Sequence, residues 1–223
     1  MRFRLAISAV LVAACSLVAT TALVTTGSAA PPLTANSGKP PKPPKPTPTP
    51  TATPKPTPTP PPVNPADADF VSMMIPHHYQ ALLMSQMAPT RTNDQAVRSI
   101  ASQIDVEQGL EITTMQSWQS WNGLEVTDAE KAYQEHLQDP MMLEMMGMAT
   151  PEQMAALSAA NGAAFEVMYL RLMIRHHQGA LDMLADVLVH GSDETLRGWA
   201  NDMYVTQQAQ INWMQNLLAS KTS

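Results

Sequence analysis

The sequence predicts an all-α fold: a four-helix bundle made of two duplicated helical hairpins joined by a Met-rich crossover. Three observations predict it. Met74-Ile75-Pro76-His77-His78 recurs 99 positions later as Met173-Ile174-Arg175-His176-His177. The same ungapped offset pairs Phe70 with Tyr169, Ala81 with Ala180, Met84 with Met183, Gln108 with Gln207, Ile112 with Ile211 and Met115 with Met214. A fixed offset held that long marks a duplicated unit. Beyond residue 65, Gly and Pro are scarce and Ala, Leu, Met and Gln dominate, a composition that favours helix.

The chain opens with residues 1–30, which read as an export signal. Arg2 and Arg4 precede an uncharged apolar run over 5–24, and small residues Gly27 to Ala30 follow. Val12-Ala13-Ala14-Cys15 also fits a lipoprotein box with Cys15 as the lipidated residue. An uncleaved anchor is a third reading of the same run, which has the length of a membrane span. Cys15 is the only cysteine, so the folded domain has neither disulfide nor thiolate. Residues 31–65 carry 16 of the 20 prolines with Lys and Thr. Such a stretch buries nothing and reads as a polyproline-II stalk, at ~3.1 Å per residue reaching roughly 100 Å. A stalk behind an export signal suits a domain associated with a cell wall or membrane surface.

Residues 66–223 hold seven basic and 19 acidic side chains, a net charge of −12. That excludes the basic footprint nucleic acid requires and favours cations. The repeat halves span about 66–122 and 165–219. In the first, a helix runs from about Pro65 to Ala88, closed by Pro89 and Thr90. Asn93 caps a second helix that ends near Trp121 at Asn122-Gly123. Its apolar stripe is Val97, Ile100, Ile104, Ile112, Met115 and Trp118. Thr127-Asp128-Ala129-Glu130 reads as a capping box opening a short helix to about Gln138, broken by Asp139-Pro140. Met141 to Met148 forms the Met-rich crossover. A further capping box, Thr150 to Gln153, starts a helix that Asn161-Gly162 bends or interrupts. The second-repeat helix then runs to about His190 with Gly191 as cap, and Ser192 caps a last helix to about Ala219.

The histidines carry the functional signal. Successive helical residues point about 100° apart, so His77 and His78 face different ways. Met73, His77 and Met84 share one face, and Met74 and His78 are an i,i+4 pair. His176 with Met183, and Met173 with His177, repeat the pattern. A pseudo-two-fold axis would bring one histidine of each copy together. Imidazole with thioether favours copper over magnesium or calcium, which take oxygen. The predicted metal ligands are therefore His77, His78, His176 and His177, with Met74, Met84, Met173 and Met183 as auxiliary thioethers. The plainer reading is that the methionines fill the core and the histidines are hydrogen-bonded core residues of a metal-free interaction module. Glu107 and Glu111 could face the histidines, but Thr206 and Gln210 stand at the matching places. Arg175 opposes a cation beside His176 unless its charge is directed away. His136 is an additional copper candidate, and His190 fits a helix C-terminus. No nucleophile–base arrangement points to an enzyme.

The doubled Met-Ile-x-His-His segments at Phe70–Met84 and Tyr169–Met183, with Gln108–Trp118 and Gln207–Gln215, resemble domain-of-unknown-function family 305. The resemblance spans about residues 66–219. It implies a ferritin-like four-helix bundle in an exported bacterial protein, with copper binding and tolerance in some members and no general enzymatic activity. A di-iron site is not implied, because it needs Glu-x-x-His motifs and none occurs.

Overall fold

The computed structural model describes residues 62–223, and no strand occurs among them. The export signal, Cys15 and the stalk up to residue 61 lie outside the described residues. Eight helices follow in order: α1 Pro65–Ser85, α2 Ala88–Arg91, α3 Gln95–Trp121, α4 Ala129–His136, α5 Pro140–Met145, α6 Pro151–Ala159, α7 Gly162–His190 and α8 Glu194–Thr222. Helices α1, α3, α7 and α8 form the bundle: α1 packs on α3, α7 on α8, and α1 and α7 meet between the hairpins.

Helix starts follow carboxylates more closely than the sequence suggests. Asp94, not Asn93, caps α3 by accepting from the Ala96 and Val97 N–H groups. Asp193, not Ser192, caps α8 by accepting from Leu196 N. The two caps are again 99 positions apart. A charged acceptor is favoured at the positive end of a helix, which explains the same one-residue shift in both copies. Asp128 likewise caps α4, while Thr127 pairs with Gln119 through both its backbone N–H and its hydroxyl. Of the two predicted capping boxes, Thr150–Gln153 forms in full.

Other boundaries also differ from expectation. Helix α1 stops at Ser85, and Pro89 opens the one-turn α2 instead of closing the first helix. Asp139 caps α5, so the predicted break begins a new helix. The chain is interrupted between α6 and α7, where Gly162 takes φ 55°. Helix α8 continues to Thr222. Pro76 sits inside α1, whose helix is continuous through His77 and His78. Asp67, in the first turn of α1, is buried and reaches beyond its own helix. It accepts from Ser192 N (3.0 Å) and Asp193 N (2.9 Å), tying the start of α1 to the α7–α8 turn.

The predicted α3 stripe is buried throughout. Trp118 packs inside, but Trp121 is exposed and so does not join the helix packing. Two apolar clusters fill the bundle, one containing Ala81, Met84, Ile104, Met173 and Ile211, the other Met74, Ile75, Ile112, Ala180 and Met203. Along each long helix, polar residues separate the two.

Candidate metal centre

A polar layer crosses the middle of the bundle. On α1, His77 and His78 lie between Ile75 of one apolar cluster and Ala81 of the other. On α7, His176 and His177 lie between Ile174 and Ala180. Gln108 divides α3 between Ile104 and Ile112, and Gln207 and Gln210 divide α8 between Met203 and Ile211. All four histidines and these three glutamines are buried. Apolar residues above and below hold the layer in place, at the desolvation cost any buried polar group carries.

The axis of the duplication runs through this layer. The His77 and His176 rings stack with centroids 3.6 Å apart and planes inclined by 27°. His78 and His177 turn to the flanks, 6.1 Å and 6.2 Å from their neighbours. Each flank ring reaches a residue 33 positions further on: His78 Nε2 donates to Glu111 Oε2 at 2.8 Å, and His177 Nε2 to Gln210 Oε1 at 2.8 Å. Glu111 and Gln210 are repeat equivalents. The first copy thus pairs imidazole with carboxylate and the second with amide. Gln210 Nε2 in turn donates to Glu107 Oε2 at 2.7 Å, which orients the amide. Both acidic residues noted in the sequence therefore serve the histidine layer.

The inner pair bonds to backbone. His176 Nε2 donates to the His77 carbonyl at 3.0 Å, and His77 Nε2 to the Met146 carbonyl of the crossover at 3.0 Å. All four Nε2 atoms face acceptors, so each carries the ring proton. Burial holds His77 and His176 well below the usual histidine range, and neighbouring imidazoles lower both further. Burial also brings His177 down to about 4, against the raising effect of its bond to Gln210. These three rings are neutral near pH 7. The Nδ1 atoms of His77, His176 and His177 then present lone pairs, and none of the four Nδ1 atoms has a hydrogen-bond partner among the described residues. The Gln108 and Gln207 amides are also unpartnered at both atoms. Buried polar atoms are rarely left so, and an orphaned layer of nitrogen and oxygen donors fits an ion or bridging water.

The thioethers divide. Met74, Met84 and Met173 are fully buried in the apolar clusters, while Met183 is half-buried beside the crossover. No group of three or more His, Cys, Asp or Glu side chains among the described residues converges tightly enough to hold a metal. Stacking explains this for the inner pair, since in-plane lone pairs of stacked rings do not converge.

The crossover covers α1 and α7 by backbone contacts invisible in a residue pattern. Gln80 donates to the Ala149 carbonyl (2.8 Å) and accepts from its N–H (2.7 Å). Arg175 donates to the Gly147 and Met148 carbonyls and to Gln153, so its charge is spent on the crossover. At Gly179, the repeat equivalent of Gln80, a Cβ would fall on the Met146 carbonyl oxygen. His136 ends α4, half-buried, with Nδ1 unpartnered. His190 ends α7 and pairs with Asp186 at 3.0 Å, as expected at a helix C-terminus.

The sequence profile of the domain of unknown function DUF305 matches residues 67–218. The chain belongs to the DUF305 family. Its fold is similar to a DUF305 fragment from Deinococcus radiodurans, at 32% identity over 72% of this chain and 99% of that one, TM-score 0.64. It is also similar to a DUF305 protein of Streptomyces coelicolor described as secreted, at 31% identity over 71% and 94%, TM-score 0.62. CopM is similar in its Cu(II)-bound form at 28% identity over 69% and 96%, TM-score 0.55. Its Cu(I)-bound form gives 25% over 70% and 98%, TM-score 0.56. No curated protein matches the chain.

Proposed function

We propose that this DUF305 protein is a non-enzymatic, extracytoplasmic copper-binding protein that buffers or sequesters the metal outside the membrane. The observation that carries the reading is the set of four buried imidazoles, each with Nε2 directed at an acceptor and Nδ1 without a partner, in a domain without thiols. Neutral imidazole nitrogen suits copper ions, and no proton has to leave a neutral Nδ1 before it binds. His77, His78, His176 and His177 would supply nitrogen once the stacked inner rings turn apart, and Met74, Met84, Met173 and Met183 would supply sulfur. The similarity to CopM, a protein seen with Cu(I) and with Cu(II), supports the choice of metal. The signal-like sequence of residues 1–30 and the similarity to a DUF305 protein described as secreted support the location.

A specific observation favours a second reading. Every Nε2 already has an acceptor and the inner rings stack, as expected of a metal-free core in a tethered interaction module. Titration with Cu(I) and Cu(II) separates the two. In the copper reading, His78→Gln combined with His177→Gln weakens binding at least tenfold. In the metal-free reading, the same pair lowers thermal stability and leaves metal affinity unchanged.

A further inference from the structure

A cleft of about 600 Å³ opens on the surface between α1, α7 and the crossover. Met73 of α1, Met145 and Met146 of the crossover, and Met183 of α7 line it, with the Asp186–His190 pair at one end. We propose that this cleft is a binding site for a soft monovalent ion, Cu(I) or Ag(I), held by thioether sulfur and distinct from the buried histidine layer. The proposal rests on the copper reading and gives it a solvent-accessible site.

Met146 belongs to the small apolar cluster under the crossover and Met73 and Met183 pack against it, but core filling does not account for Met145. Met145 is 65% exposed, and burial provides no reason for a large apolar side chain there. Four thioethers from three separate elements line one cavity, and sulfur selects soft ions. Thioethers remain uncharged and available at any pH, unlike thiolates. Asp69, Asp182 and Asp186 also line the cleft and add negative potential that concentrates cations without competing as soft ligands.

The duplication supplies an internal control. On the other copy, the corresponding face of α7 lines a cavity of about 680 Å³. There Leu172 stands in place of Met73 and Met168 in place of Asp69, and Arg171 and Arg175 join the lining. That cavity has one methionine and two cations, and a positive ion has no reason to settle in it. Sulfur and negative charge thus gather on one of two related faces, the one that Met145 and Met146 of the crossover reach.

The test compares the full chain with a Met73→Leu, Met145→Leu variant, which keeps side-chain volume and leaves buried Met146 and the Met183 assigned to the histidine site in place. Cu(I) affinity is measured by chelator competition, Cu(II) affinity by titration, and the neighbours of bound Cu(I) by X-ray absorption. The proposal expects at least a tenfold loss of Cu(I) affinity, fewer sulfur neighbours and unchanged Cu(II) binding. The single Met145→Leu variant, at an exposed position, should show a smaller loss in the same direction with the fold intact. Equal Cu(I) affinity and sulfur signal in the double variant would overturn the cleft site while leaving the copper reading standing. Failure of the unaltered chain to bind Cu(I) or Cu(II) would remove both.

Discussion

Gln80 and Gly179 occupy equivalent positions in the two repeats and do opposite things for the crossover. Gln80 reaches out to both backbone groups of Ala149, while Gly179 withdraws to let Met146 approach α7. Replacing Gln80 by Leu leaves a buried N–H and a buried carbonyl without partners. Each orphan costs about 1–3 kcal/mol, so Gln80→Leu should lower stability by roughly 2–4 kcal/mol, read as a shift in denaturant midpoint. At Gly179, two effects oppose. Alanine gains up to about 1 kcal/mol in helix propensity, but its methyl group would lie on a carbonyl oxygen that cannot move without the crossover. Overpacking of this type costs about 1–3 kcal/mol, and the clash should win. Gly198 in α8 is the matched control: it is exposed, and nothing lies within 4 Å of an added Cβ. Gly198→Ala should raise stability by about 0.5–1 kcal/mol while Gly179→Ala lowers it. Equal effects at the two positions would mean that the crossover does not press on α7.

At the scale of elements, the four long helices were readable because they follow the physics of local sequence. Apolar periodicity marked the α3 stripe, and the repeat offset implied that one histidine of each copy would meet without saying which; the structure pairs His77 with His176. The helix caps were readable to within one residue, since Asn93-Asp94 and Ser192-Asp193 each offer two adjacent acceptors and tertiary contacts choose between them. Ser192 N is engaged by Asp67, and Asp94 Oδ2 also pairs with Lys221 at 2.8 Å. Removing the caps should therefore be unequal. Asp193→Ala should cost about 1 kcal/mol, as for an ordinary N-cap, and Asp94→Ala more, because Lys221 loses one of its two carboxylate partners. Paired urea melts of the two variants measure the difference. The path of the crossover was not readable. Gln80, Arg175 and His77 hold it by its carbonyls, which every residue possesses, so side-chain identity gave no hint. For the same reason, the cleft methionines were visible as a composition but not as a group: Met73 and Met145 meet only through that path.

Across the whole molecule, the buried imidazoles make stability depend on acid. His77, His176 and His177 all have folded-state values depressed by burial from 6.5, His177 to about 4. Above pH 6.5 these rings are neutral whether the chain is folded or unfolded, and they contribute no pH dependence. Below it, the unfolded chain takes up protons that the folded chain refuses, so stability falls as pH falls. Each ring contributes about 1.4 kcal/mol per pH unit between its two values, and three acting together give a slope of roughly 4 kcal/mol per unit once pH is well below 6.5. For His177 the loss ends near pH 4. Metal-free protein should therefore show constant thermal stability from pH 8 to 7 and a steep decline from pH 6 to 5, before ordinary carboxylates titrate. Replacing His177 by Gln should make that decline shallower by about one ring's share, about 1.4 kcal/mol per pH unit. A profile that stays level down to pH 5 would mean that water reaches the layer and that its rings protonate without unfolding. Copper bound at the Nδ1 atoms would then face proton competition near neutral pH, whereas in the closed layer the neutral lone pairs persist well into acid.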